Sequence, residues 1–122
     1  LKKFCRGKLY CLFGCGGNRD KSKRPIMGEI VAKYADLCIV TSDNPRYEDP
    51  YDIISDIEAG IKPTGRRYVT VTERETATEY AINLLEKDDI LLVAGKGGEY
   101  YQEIMGIKHS YNDNAVIKKI IG

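Results

Sequence analysis

Four short runs rich in apolar residues are separated along the chain by longer segments in which apolar residues recur every three or four positions. The runs cover residues 8–13, 37–41, 68–71 and 90–94. Such short apolar runs are typical of strands buried on both faces, and the longer period is typical of helices. The alternation predicts an α/β domain in which helices cover both faces of a mostly parallel sheet.

Each predicted helix carries a stripe of residues that we expect to face the core. Pro25 suits the first turn of the first helix, and Pro50 opens the second. Thr72 and Glu75 form a capping box for the third helix, and Asp113 caps the last. Residues 107–111 predict a short edge strand. The four stripes are Ile26, Ile30, Val31 and Tyr34; Ile53, Ile54, Ile57 and Ile61; Ala77, Tyr80, Ala81, Leu84 and Leu85; and Val116, Ile117, Ile120 and Ile121.

Three predicted strands are followed by loops that are rich in glycine or in charge. These loops begin at Gly14, Ser42 and Gly95. The carboxyl ends of parallel strands meet at one edge of a sheet, and ligands of open α/β sheets bind beyond that edge. We therefore expect the three loops to line one common site.

The first of these loops, Gly14-Cys15-Gly16-Gly17, allows two interpretations. Glycines let backbone N–H groups approach an anion, and the same residues also suit a tight strand-to-helix turn. A dinucleotide fingerprint is excluded because Arg19 stands where its third glycine belongs. Lys96 does not complete a P-loop, because Gly97 replaces the required serine or threonine. The chain therefore has no motif that would bind ATP unaided.

The second loop contains Asp43-Asn44-Pro45-Arg46. Asp, Asn and Pro are routine turn formers, so a plain turn is one interpretation. A binding site is the other, because Arg19 and Arg46 can each offer a planar fork to a carboxylate. Asp43 and Glu99 can each accept hydrogen bonds from an ammonium. Together the loops suit a ligand that carries both groups, as an amino acid does.

Composition and charge argue against nucleic-acid, membrane and metal binding. The chain has 122 residues, which suits one domain, and its formal net charge is +1. Basic residues are mixed with acidic ones, so we expect no nucleic-acid partner, and no apolar run is long enough to predict a membrane partner. Four cysteines form no C-x-x-C pair and His109 is the only histidine, so we expect reduced thiols and no metal site.

Three motifs in combination resemble the C-terminal domain of the Mur ligases, specifically the branch that adds meso-diaminopimelate. They are Gly14–Asp20 with Lys23-Arg24-Pro25, Asp43–Arg46 with Glu48-Asp49-Pro50, and Ala94-Gly95-Lys96-Gly97-Gly98-Glu99. The resemblance implies a Rossmann-like three-layer α/β/α domain over residues 1–122 that lacks its first strand. It also implies that the chain is part of a larger, three-domain, cytoplasmic enzyme of peptidoglycan biosynthesis.

The resemblance further implies a substrate site for meso-diaminopimelate. Its residues would be Arg19, Asp43, Asn44, Pro45, Arg46, Gly95 and Glu99. The arginines would hold a carboxylate, Asp43 and Glu99 an ammonium, and Asn44 and the Gly95 carbonyl would orient the substrate. Asn18 and Gly98 depart from the aspartate and histidine that are usual at these positions.

The family reaction is an ATP-dependent ligation that forms an acyl phosphate on the D-glutamyl carboxylate of UDP-MurNAc-dipeptide. The amino group of diaminopimelate then displaces phosphate. The resemblance implies that ATP, Mg²⁺ and the UDP-linked dipeptide bind mainly to other domains, so that this chain alone has no catalytic residues and is inactive. Uncovered apolar sheet surface would favour self-association of the chain. A related ligase that uses L-lysine or glutamate, a non-catalytic amino-acid-binding module and a nucleotide-binding α/β domain remain alternatives.

Overall fold

The four apolar runs form strands, and helices separate them. The computed structural model describes residues 6–17, 20–94, 101–104, 107–110 and 113–121. Its elements are β1 (Leu9–Phe13), α1 (Lys23–Tyr34), β2 (Leu37–Val40), α2 (Pro50–Ile61), a 3₁₀ turn (Lys62–Thr64), β3 (Tyr68–Thr70), α3 (Arg74–Leu84), β4 (Ile90–Val93), β5 (Tyr101–Ile104), β6 (Ile107–Ser110) and α4 (Asp113–Ile121).

The first four strands form one parallel sheet in the order β3-β2-β1-β4. Cys11 in the middle of β1 lies opposite Cys38 of β2 and Leu92 of β4. The predicted parallel sheet is therefore confirmed. From β1 to β3 the chain moves across the sheet in one direction, and β4 then returns to the far side of β1. The point where the direction reverses lies between β1 and β4, which is where ligands bind in folds of this class.

Helices cover both faces of this sheet, which confirms the three-layer α/β/α architecture. One core contains Phe13 and Val40 of the sheet and is covered by α1 and α2. The other contains Leu12 and Ile39, and Ala77 and Ala81 of α3 pack against it. Alternate residues of β1 and β2 thus face opposite cores, as the period of a strand requires.

The last part of the chain lies outside the parallel sheet. Strands β5 and β6 pair antiparallel as a separate two-stranded sheet, and α4 packs against α3. The strand predicted over residues 107–111 is therefore one strand of a β-hairpin rather than an edge strand of the main sheet. Tyr111, its last predicted residue, lies outside the described residues.

The predicted core stripe of α1 is wrong for three of its four residues, and only Val31 packs against the core. Ile26, Ile30 and Tyr34 are 55%, 51% and 66% exposed, whereas the buried residues of the helix are Arg24, Gly28 and Ala32. The reason is the close approach of α1 to α2. A Cβ atom on Gly28 would lie 2.4 Å from the carbonyl oxygen of Ile57, so only a small residue fits at this contact.

The other two stripes of the main domain follow the prediction more closely. All four predicted isoleucines of α2 are buried, and the Asp49 side chain caps this helix by accepting from the Tyr51 N–H. In α3, Ala77 and Ala81 are buried but Tyr80 is 39% exposed. The predicted capping box is wrong, because Glu73 is the N-cap and makes no side-chain capping bond.

The misplaced stripe of α1 leaves apolar surface exposed. Ile30 and Tyr34 line a groove with Leu92 of β4, which is 41% exposed. This groove is the surface on which the expected self-association depends, and that expectation stays a prediction. Within the described ranges, every helix is too short or too polar to cross a membrane.

Candidate functional site

The Asp43–Arg46 segment forms a tight turn at the carboxyl end of β2. Asp43, Asn44 and Pro45 are buried, and the Pro45 carbonyl accepts a hydrogen bond of 3.0 Å from the Glu48 N–H. Within this turn Arg46 has a φ of 54°. Residues other than glycine seldom adopt this left-handed conformation, and those that do are concentrated at functional sites. The turn therefore has a feature that plain surface turns usually lack.

The turn lies directly against the glycine loop that follows β1. Gly17 N–H donates to the Asn44 carbonyl at 2.6 Å, and Nη1 of Arg46 donates to the Gly17 carbonyl at 2.9 Å. The same Nη1 lies 3.4 Å from the Asn44 carbonyl oxygen. These carbonyls fix the direction of a guanidinium fork at the edge of the sheet.

Glycine is required where these two loops meet. A Cβ on Gly14 would lie 2.4 Å from the Thr41 carbonyl oxygen, and one on Gly17 would lie 1.8 Å from that of Pro45. Both distances are far below van der Waals contact, so any side chain would separate the loops. The tight-turn interpretation accounts for these two glycines, and anion binding by the loop stays a prediction.

Arg24 connects the same two loops through a side chain that is buried under them. Its side chain is almost completely buried, and its guanidinium forms a bidentate pair with Glu48 at 2.8 and 3.2 Å. It also donates to Asp56 of α2 at 2.9 Å and to the Gly16 carbonyl at 3.2 Å. Burial alone would lower the pKa of Arg24, but the hydrogen bonds with Glu48 and Asp56 outweigh it and raise the pKa.

Arg74 is a second buried arginine, and it spans the end of the sheet. Its Nη1 donates to the Ser42 carbonyl after β2 at 3.3 Å, and its Nη2 donates to the Ala94 carbonyl after β4 at 3.1 Å. Because β1 lies between these strands, their ends are separated by two strand spacings, or roughly 9.5 Å. A long planar side chain closes that distance and links the β2 loop to the end of β4.

Cys15, which lies near this edge, is not an activated nucleophile. Burial raises the pKa of Cys15 to about 11, although the nearby Arg24 guanidinium acts in the opposite direction. A thiol with this pKa is neutral at physiological pH. Burial likewise raises the pKa of Cys11 to about 12 and that of Cys38 to about 11, because both side chains lie in the core of the sheet.

The structure brings four of the predicted site residues together on one turn: Asp43, Asn44, Pro45 and Arg46. The other three, Arg19, Gly95 and Glu99, lie outside the described residues, as do Asn18 and Gly98. Arg24 and Arg74 were not predicted to be near the site. For Arg24 a signal was present, because it is the one charged residue on a helix face otherwise made of glycine and alanine.

The described residues offer little to a metal ion. Within these ranges no three or more His, Cys, Asp or Glu side chains lie close enough together to ligate a metal. The residues in these ranges therefore do not fit a Mg²⁺ site.

Comparisons with known proteins identify the family. A family model described as "Mur ligase, glutamate ligase domain" matches residues 1–97. The chain is 48% identical over 121 residues to the UDP-N-acetylmuramoyl-L-alanyl-D-glutamate--2,6-diaminopimelate ligase of Caldanaerobacter subterraneus subsp. tengcongensis, covering 99% of the chain and 25% of that protein. It is also 48% identical over 120 residues to the ligase of the same name from Clostridioides difficile, covering 98% of the chain and 25% of the relative.

A solved structure of a ligase with this name superposes with a TM-score of 0.91 and 39% identity, over 96% of this chain and 24% of that one. The chain thus spans about a quarter of the length of the relatives that it matches. The extent of the family match, together with the doubly wound fold, establishes that the chain belongs to the Mur ligase family, in its glutamate ligase domain.

Proposed function

We propose that the chain is the amino-acid-recognition domain of an ATP-dependent ligase that adds meso-diaminopimelate to UDP-N-acetylmuramoyl-L-alanyl-D-glutamate in peptidoglycan biosynthesis. Relatives that carry this activity in their names support the proposal. In it, residues 1–122 form one domain of a three-domain, cytoplasmic bacterial enzyme. The other domains bind ATP, Mg²⁺ and the UDP-linked dipeptide.

The observation that carries the proposal is the conformation of Arg46. Its backbone is held in the left-handed region and its guanidinium is held on the Gly17 carbonyl, so the fork is oriented before any ligand binds. A preorganised fork loses less entropy when it binds a carboxylate. We assign Arg46, together with Arg19, to the carboxylate at the far end of diaminopimelate.

The remaining predicted residues have complementary roles in this proposal. Asp43 and Glu99 accept from the distal ammonium, and Asn44, Pro45 and Gly95 shape the pocket and orient the substrate. The chain would then hold the other amino group of diaminopimelate towards the acyl phosphate, where the new amide bond forms and phosphate leaves. Its contribution to the rate is positioning rather than proton transfer.

The same arrangement predicts selection against lysine. Lysine has the distal ammonium but no distal carboxylate, so its binding would leave the arginine fork without that partner. Sites built to bond a polar group reject analogues that lack it by roughly 10⁴-fold. The full-length ligase should therefore use meso-diaminopimelate in strong preference to L-lysine.

Steady-state kinetics of the full-length ligase test the assignment of Arg46. Arg46→Ala should raise the Michaelis constant for meso-diaminopimelate by about 10- to 100-fold, because a charged bidentate contact is lost. The Michaelis constant for ATP should stay nearly unchanged, and the preference over L-lysine should fall. Arg67→Ala is the matched control, because it removes an exposed arginine at the start of β3, at the opposite edge of the sheet.

Three results would contradict the proposal. Equal changes in both Michaelis constants would exclude the role of Arg46 in substrate binding. A wild-type preference for L-lysine would identify the related ligase instead. Turnover with neither amino acid, combined with calorimetric binding of diaminopimelate or ADP alone, would identify one of the two binding modules.

A further inference from the structure

Arg24 is placed to control the geometry of Arg46 without touching the substrate. It is 1% exposed and lies at the start of α1, under the junction of the β1 and β2 loops. One nitrogen, Nη2, contacts both loops, at the Gly16 carbonyl in the first and at Glu48 in the second. One planar group thereby fixes the distance between the two loops.

A short turn connects Glu48, which contacts Arg24, to Arg46. Glu48 N–H donates to the Pro45 carbonyl, and Arg46 lies inside the turn that this bond closes. A left-handed arginine persists only where its surroundings hold it, since the conformation is strained for a residue with a side chain. The bidentate Arg24–Glu48 pair anchors the far end of this turn, where the exposed Lys21 also lies 3.6 Å from the Glu48 carboxylate.

The contact with Gly16 acts on the partner of Arg46. The Gly16 carbonyl that accepts from Arg24 is directly followed by Gly17, whose carbonyl accepts from Arg46. Arg24 therefore holds both the backbone from which the Arg46 side chain extends and the loop on which its guanidinium rests.

We propose that Arg24 is a positioning residue for the amino-acid substrate, which sets the direction of the Arg46 fork by tying Glu48 to Gly16. The proposal rests on the proposed function of the chain. It predicts that the contacts of Arg24 with Glu48 and Gly16 affect amino-acid binding and that its contact with Asp56 does not.

Asp56 provides the matched control. It bonds Arg24 at 2.9 Å, as Glu48 does, but it lies in the middle of α2 and belongs to neither loop. Glu48→Gln and Asp56→Asn each remove one negative charge from the same arginine. A purely structural network would respond similarly to both, whereas a positioning role depends on Glu48.

Kinetics of the full-length ligase provide the first readout. Arg24→Lys keeps the charge but loses the fork, so it should raise the Michaelis constant for meso-diaminopimelate by about 10- to 100-fold, and Glu48→Gln by about tenfold. Asp56→Asn should change it less than about threefold. The Michaelis constant for ATP should stay constant in all three variants.

Amide hydrogen exchange of the same proteins provides a second readout that needs no substrate. Exchange at Gly17 and Glu48, whose N–H groups bond across and within the turn, should accelerate in Arg24→Lys and Glu48→Gln but not in Asp56→Asn. Equal exchange in all variants, or equal effects of Glu48→Gln and Asp56→Asn on the Michaelis constant, would overturn the role of Arg24. Lack of turnover by the wild-type enzyme with diaminopimelate would instead overturn the proposed function, while the exchange data would still decide whether Arg24 orders the loops.

Discussion

The amino ends of the parallel strands form one edge of the sheet and the carboxyl ends form the other. Side chains of opposite charge hydrogen-bond to the backbone at these two edges. At the amino edge, the N–H of Lys8 donates to Asp89 and the N–H of Leu9 donates to Asp36, each at 2.8 Å. All strands run in one direction, so this edge presents N–H groups that the strand ladder leaves without partners, and short carboxylates accept from them.

The carboxyl edge presents carbonyl groups, and arginines donate to them. Arg24, Arg46 and Arg74 reach the carbonyls of Gly16, Gly17, Ser42 and Ala94. The same requirement for satisfied backbone groups thus concentrates guanidinium groups at the edge where the switch point lies.

The largest expected difference between the edges is in the unfolding free energy that is lost when one glycine at each edge is substituted. Gly17→Ala places a Cβ 1.8 Å from the backbone oxygen of Pro45, whereas Gly7→Ala places one 2.3 Å from the side-chain oxygen of Asp89 and 2.9 Å from the backbone of Asp88. A carboxylate can rotate more easily than a buried turn can move. We expect Gly17→Ala to lower the free energy of unfolding by about 3 kcal/mol and Gly7→Ala by about 1 kcal/mol. Urea denaturation of the chain measures both, and equal losses would contradict the close junction at the carboxyl edge.

A smaller difference in lost unfolding free energy is expected when the side chains that hydrogen-bond to the backbone at each edge are substituted. Arg74→Met keeps the apolar stem but leaves the carbonyls of Ser42 and Ala94 without those donors, at a cost of about 2 kcal/mol in unfolding free energy. Asp36→Ala should cost about 1 kcal/mol, because Asp36 is only half-buried and water can reach the Leu9 N–H. Arg74→Lys should recover part of the loss, and a cost for Arg74→Met no larger than that for Asp36→Ala would contradict the bridging role of Arg74.

The sequence predicted the elements and the edge of the sheet better than it predicted the helix contacts. The runs of β1 and β2 are continuous because both faces of these strands are buried, so both strands were evident from their composition alone. The stripe of α1 was misjudged because hydrophobicity marks a buried face only where the neighbouring element is distant enough for large side chains. At the contact between α1 and α2 the glycines Gly28 and Gly60 determine the buried face instead.

The site shows a similar limit. The Asp43–Arg46 turn was predicted because its residues have both turn chemistry and ligand chemistry. Arg24 and Arg74 could not be assigned to it from spacing, because each acts through carbonyls or carboxylates that are distant in sequence. A buried arginine on a helix of small residues is a signal of such a bridge, but its partners follow only from the fold.

The smallest expected difference between the edges is their response to acid. Hydrogen bonds from the N–H groups of Lys8 and Glu86 lower the pKa of Asp89 below its ordinary value of 3.8. Such a carboxylate contributes its full stability above the unfolded pKa and loses it as the pH falls through the lower, folded pKa. The unfolding free energy should therefore decline below about pH 4, and Asp89→Asn should make that decline shallower.

Hydrogen bonds from Ser22 lower the pKa of Asp20 as well, so the effect of Asp89→Asn is best measured in a protein that already carries Asp20→Asn. Arg74→Met should leave the acid decline intact, because a guanidinium stays protonated throughout this range. Urea denaturation at a series of acidic pH values measures the slopes, and an unchanged slope in Asp89→Asn would show that this carboxylate does not hold the amino edge.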